Sequence, residues 1–150
     1  MQYVLISSCL LGLQTRYDGS DSFDPLILKL KEDYVLLPVC PELLGGLTIP
    51  REPATFEQGD GRAFWEENTR VIQETGGDVT QNFREGALKT VDFARFLKAR
   101  IIILKDGSPS CGIRKTNVSF QSVCGIGVTA YLLRKNEFDI YTVESFLDHT

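Results

Sequence analysis

The chain has no run of 18 apolar residues, no dense Lys/Arg block, no Cys-x-x-Cys pair, and one histidine and one tryptophan among 150 residues. Each absence closes a class of function. Without a long apolar run, no helix is expected to span a membrane. The 16 basic and 20 acidic side chains leave a net charge of −4, and nothing here has the electrostatic footprint of a nucleic-acid binder. Arg114-Lys115 is only a local basic step. Without a close cysteine pair, neither a paired-cysteine zinc site nor a thioredoxin-type redox motif is written. No Lys follows Gly76-Gly77-Asp78, so the P-loop pattern is missing and the segment reads as a lead-in to a helix. The first residues run straight into an apolar strand with no basic region before it. The expectation is therefore no secretory leader and a cytoplasmic location.

What is present is an ordinary globular composition, 43% hydrophobic and 24% charged, over a length suited to one domain, residues 1–150. Short continuous apolar runs predict buried parallel strands at Tyr3 to Ser7, Tyr34 to Val39 and Ala99 to Leu104, with a weaker one at Asp139 to Val143. Helical patterns lie between them. Pro25 to Lys31 follows Asp24, a candidate N-cap. Thr80 to Lys98 repeats Phe83, Ala87, Val91, Ala94 and Leu97 on one face, with Asp78 or Thr80 as cap. Gly127 to Lys135 carries Val128, Tyr131 and Leu132 as its stripe. Strands alternating with helices predict an α/β fold, three-layered and Rossmann-like, with a mainly parallel sheet. The segment Gly45 to Gly77 fits this scheme poorly and reads as a functional or mobile excursion, with Trp65 as its anchor.

Four cysteines remain, and in a reducing compartment they are better read as metal ligands or reactive thiols than as disulfides. Cys9, Cys40 and Cys111 each follow a predicted strand, and parallel sheets place ligands outside the carboxyl ends of their strands. One cysteine at a strand end is usually a small buried hydrophobe. Three at successive strand ends predict convergence. Convergent thiolates suit zinc, cuprous copper or an iron–sulfur cluster. A structural zinc site wants four ligands, often in close pairs, whereas a cluster tolerates wide spacing. With three ligands, one iron would stay open to a substrate.

The ordered motifs Ser7-Ser8-Cys9-Leu10-Leu11-Gly12, Arg16-Tyr17-Asp18-Gly19, Cys40-Pro41-Glu42, Gly45-Gly46-Leu47 with Pro50-Arg51, Gly77-Asp78-Val79-Thr80 and Ser108-Pro109-Ser110-Cys111-Gly112 together resemble the thiouracil desulfidase family. The match runs from Ser8 to about Leu133. The resemblance implies a [4Fe–4S] cluster on Cys9, Cys40 and Cys111, and conversion of 2-thiouracil or a similar thiolated small molecule to its oxygen counterpart and sulfide without net redox change. It also implies that Glu42 and Ser108 are the catalytic acid and serine.

The chemistry of these residues accords with those roles. A partly desolvated carboxylate two residues beyond a ligand suits proton transfer to or from water. The plainer reading of Pro41-Glu42 and of Ser108-Pro109-Ser110 is turn chemistry. Arg16 and Asp18 are candidate substrate contacts, or else a turn closed by Asp18-Gly19. Arg51 is a candidate for an anionic substrate group, or a brace for the excursion. Cys124 is expected as a small buried side chain, the sharper alternative being a fourth ligand. A fourth thiolate would favour the competing function, a non-catalytic metalloprotein with structural zinc or a saturated cluster. His149, near the C-terminus, is expected to fray and is given no role.

Overall fold

The computed structural model describes residues 1–150. Strands β1 (Gln2–Ser7), β2 (Tyr34–Val39), β5 (Ile101–Ile103) and β8 (Asp139–Tyr141) form one sheet in the order β2-β1-β5-β8, with every pair parallel. The apolar runs explain why: both faces are covered. Val4, Ile6 and Ile103 face one side, packed with Ile27 and Leu30 of α1 (Ile27–Leu30) and with Val143 and Phe146 of α6 (Val143–His149). Leu5 and Ile102 face the other, against Val91 and Ala94 of α4 (Thr80–Leu97) and Ala130 and Leu133 of α5 (Val128–Lys135). Helices, sheet, helices: the layers are those the sequence predicts. No helix is long and apolar enough to cross a membrane.

Several boundaries differ from expectation. Strand β5 is shorter than Ala99 to Leu104, although Ala99 and Leu104 remain buried in the core beside it. Helix α1 is a single turn within Pro25 to Lys31; Asp24 does receive the N–H of Leu26. Strand β8 stops at Tyr141, because Thr142 caps α6 through reciprocal bonds with Ser145. That helix is missing from the periodic reading. It carries His149, whose ring lies 5.4 Å from that of Tyr141. The buried residues of α5 are Val128, Thr129, Ala130 and Leu133, with Tyr131 and Leu132 only partly covered. Val128 of the expected stripe is buried as read, and the rest of the covered face falls on Ala130 and Leu133 instead of Tyr131 and Leu132.

The larger difference is a second sheet. Strands β3 (Ala54–Phe56), β4 (Val71–Gln73), β6 (Lys115–Val118) and β7 (Gln121–Cys124) pair in the order β4-β3-β6-β7, antiparallel except at the β3–β6 join. The Gly45 to Gly77 excursion is therefore built structure, containing β3, β4 and α3 (Gly61–Glu67). Phe56, Phe64 and Val71 make its core with Val79, Phe83, Ala87 and Val128. Helix α4 thus serves both sheets, its first half packing on one and its second half on the other. Trp65 is an anchor as expected, its indole N–H donating to the Val128 carbonyl at 2.9 Å. Asp78 is the side chain that receives the Thr80 N–H, while Thr80 turns its hydroxyl to Val71 of β4.

Candidate metal centre

Parallel pairing brings the ends of β1 and β2 into register, Ser7 opposite Val39, so Cys9 and Cys40 emerge side by side just beyond them. Cys9 lies in a 3₁₀ turn, Ser8–Leu11. Cys40 precedes α2 (Pro41–Leu44), whose first turn carries Glu42. Cys111 arrives on the loop after β5. That loop is fixed in two ways. The Asp106 carboxylate collects the N–H groups of Gly107, Ile113, Arg114 and Lys115 on one oxygen, at 2.8 to 3.1 Å. The open N-terminus of α5 provides the second hold: Val128 N–H donates to Pro109 and those of Thr129 and Ala130 to Ser110. Gly127, which has no side chain with which to cap α5, is needed here because a Cβ would stand 2.4 Å from the Ser110 carbonyl oxygen.

One cavity of about 490 Å³ is lined by all three cysteines together with Glu42, Ser108, Arg16 and Arg51. All three thiols are free. Burial pushes each of them up, and the Glu42 carboxylate pushes further: Cys9 is raised, Cys40 is pushed up to about 11, and Cys111 lies well above the usual thiol range. Cys40 and Cys9 add to the effect on Cys111. Three thiols and a carboxylate that repel one another's charge form a donor set suited to a strongly cationic, thiophilic group. No three His, Cys, Asp or Glu side chains converge tightly enough for a single metal ion. Three thiol donors with no histidine in the lining fit an iron–sulfur group.

Glu42 is held from the far side. The Arg51 guanidinium, with its side chain 7% exposed, lies 3.6 Å from the carboxylate. It also donates to the carbonyls of Thr15 and Thr48, at 3.1 and 3.2 Å. Arg51 thus ties together the Cys9 loop, the excursion and Glu42, which is the brace reading. The Ser108 hydroxyl accepts the Cys111 N–H at 2.8 Å and keeps its own proton to donate. Arg16 is at the cavity wall, but Asp18 is not: exposed, it receives the N–H and hydroxyl of Ser20 and closes the turn.

Cys124 overturns its expectation. It is exposed on β7 and outside the cavity lining, so it is neither a buried filler nor a fourth member of the group. Sequence reasoning passed over Lys105, Asp106, Asn117 and Phe120, which also line the cavity. The four acceptor bonds of Asp106 had no readable signal, since the residues donating to it are fixed only by the loop's fold.

The comparisons agree with one another. A solved structure, the [4Fe-4S]-dependent thiouracil desulfidase TudS, superposes with a TM-score of 0.84 at 33% identity, over 99% of this chain and 95% of that one. The uncharacterized protein YbbK of Bacillus subtilis (strain 168) is 38% identical over 148 residues, 97% of this chain and 98% of its own length. The model of the 2-thiouracil desulfurase family matches residues 4–145. The fold, its thiol-lined edge and these likenesses lead to one statement: the chain belongs to the 2-thiouracil desulfurase family.

Proposed function

We propose that the protein is a desulfidase that replaces the thiocarbonyl sulfur of 2-thiouracil, or of a related thiolated small molecule, with oxygen from water. The observation that carries this reading is the single cavity in which Cys9, Cys40, Cys111, Glu42 and Ser108 meet. Its likeness to a [4Fe-4S]-dependent thiouracil desulfidase supports it. Cys9, Cys40 and Cys111 would hold a [4Fe–4S] cluster through their sulfurs, and the fourth iron would supply an open, soft Lewis-acid position for the substrate sulfur. Four free cysteines suit the reducing cytoplasm, where we place the protein.

The remaining chemistry falls to the chain's own side chains. Glu42 would take a proton from water as it adds to the thiocarbonyl carbon, return that proton to the departing sulfur, and take the remaining hydroxyl proton as the C=O forms. The C–S bond breaks, a C=O bond forms, sulfide departs, and no electrons are gained or lost overall. Arg51 holds the Glu42 carboxylate in place and is assigned that role in preference to binding substrate. Ser108 is positioned to donate a hydrogen bond to water or to the substrate. Arg16, at the cavity wall, is assigned as a cationic contact for substrate.

The test is Glu42→Gln in protein loaded with iron and sulfide without air. Gln keeps the size but cannot exchange a proton near neutral pH. A positioned acid or base contributes on the order of 10²–10⁴-fold, so sulfide release should fall by that factor at unchanged iron content. Turnover at the parent rate with full iron would remove Glu42 from the mechanism.

A further inference from the structure

The β6–β7 hairpin carries two unusual residues, Asn117 and Phe120, that line the cavity. Ser119 and Phe120 fill the two central positions of its turn, between the paired Val118 and Gln121. Both are left-handed, with φ 49 and φ 62. Such turns ordinarily take Asn-Gly, and a bulky residue at positive φ is an outlier. The turn is nonetheless pinned: Phe120 N–H donates to the hydroxyl of buried Thr55 at 3.0 Å, and Ser119 N–H to the Phe56 carbonyl at 3.0 Å. The result is a phenyl ring in the cavity wall that is 46% exposed. The other aromatic rings of the wall are engaged elsewhere, Phe83 in the core and Tyr17 beside the Arg16 guanidinium. Strain held in place by the surrounding structure points to a use.

Three residues before Phe120, Asn117 also lines the cavity. Its Oδ1 is one of two buried side-chain polar atoms without a hydrogen-bond partner. Burying an acceptor without a donor is costly unless something supplies one.

We propose that this hairpin is the specificity element of the site: Phe120 stacks on a planar heteroaromatic ring and Asn117 Oδ1 accepts one of its ring N–H groups. The inference rests on the desulfidase reading for the reaction but not for the binding. A cyclic thioamide with ring N–H groups satisfies both features at once, whereas an open-chain thioamide offers no ring to stack.

The experiment uses cluster-loaded protein and three oxygen-containing probes in equilibrium dialysis. They are uracil, 5,6-dihydrouracil, which is puckered, and 1,3-dimethyluracil, which has no ring N–H. The parent should prefer uracil to both. Phe120→Leu and Phe120→Gly should lose the preference over dihydrouracil, on the order of tenfold by the usual strength of base stacking, and Phe120→Trp should keep it. Gly relieves the left-handed backbone, so a purely structural Phe120 predicts no loss in Phe120→Gly. Asn117→Ala should lose the preference over dimethyluracil, severalfold for one neutral hydrogen bond, and keep the other. In turnover, the KM for 2-thiouracil should rise in Phe120→Leu and Asn117→Ala with kcat little changed. Unchanged preferences in these variants overturn the proposal, even if sulfide release is normal. A parent that releases no sulfide but shows these preferences and their losses refutes the desulfidase reading and leaves the binding assignment standing.

Discussion

Replacing Gly86 by Ala sets two effects of opposite sign against each other in the middle of α4. Ala is the better helix former by about 1 kcal/mol. Its methyl group, however, would stand 2.1 Å from the Pro41 carbonyl oxygen and 3.3 Å from the Gly45 nitrogen. The nearest obstacle is backbone, which cannot swing aside as a side chain end does. Relieving the contact requires α2 to retreat from α4 by about 1.4 Å, since non-bonded atoms settle near 3.5 Å. Overpacking of this kind costs about 1–3 kcal/mol, so the net destabilisation should not exceed about 2 kcal/mol. The functional effect should be larger, because α2 begins immediately after Cys40 and carries Glu42. A misplacement of about 1 Å at a reacting group costs on the order of 10²-fold. Urea midpoints of the metal-free protein, with iron content and sulfide release of the loaded protein, separate the two effects. Asp92→Ala, on the exposed side of the same helix, is the neutral comparison. If Gly86→Ala is as stable as the parent and retains its iron and turnover, the close crossing of α2 over α4 does not position the site.

Ser in place of Cys9, Cys40 or Cys111 should abolish cluster retention, while Cys124→Ser should hold parent iron, because hydroxyl is a poor substitute for thiolate on soft metals; iron and sulfide analysis without air decides it. Arg51→Ala leaves Glu42 without its partner in a largely buried setting, for about 3 kcal/mol of stability, and should lower kcat more than it raises KM. Arg51→Lys should recover part of the stability loss in chemical denaturation. Asp106 supplies a pH signature. Burial alone would raise its carboxyl, but the backbone N–H groups of Lys115, Ile113, Arg114 and Gly107 outweigh it and hold it below the usual carboxylate value. Its folded value is depressed, so its contribution is full above the ordinary value near 4 and fades as pH falls through the lower folded value. Asp106→Asn should cost about 1 kcal/mol at neutral pH, allowing for partial exposure. The two denaturation curves should converge in acid, and a gap constant with pH would contradict this.

Much of the parallel sheet was legible because its strands are buried on both faces and therefore appear as uninterrupted apolar runs. Tyr34 to Val39 has the expected limits, and α4 begins at the residue its turn signals indicate. The strand-end positions of Cys9, Cys40 and Cys111 follow from that reading, since parallel strands share one carboxyl edge. Residue types and spacing alone therefore place three thiols at one end of a sheet, with an acid two residues beyond one of them. The order of the motifs identifies the family.

The second sheet was not legible. Ala54–Phe56 and Val71–Gln73 are too short to display a period. The β6–β7 turn uses Ser119-Phe120 where a readable hairpin would carry Asn-Gly. The β6–β7 pair joins the sheet through β3, whose Phe56 packs with Val71 of β4 on Phe83 and Ala87 of α4, and a pairing between residues 56 and 118 leaves no local trace. For the same reason only tertiary structure could show which partners single residues have. The Arg51 guanidinium is surrounded by the Thr15 and Thr48 carbonyls and Glu42. Asp18 sits in a turn where Ser20 donates to its carboxylate, and Cys124 is a surface thiol because β7 is an edge strand. Local sequence specifies what each side chain can do; what it does depends on which distant groups the packed chain brings within hydrogen-bonding reach.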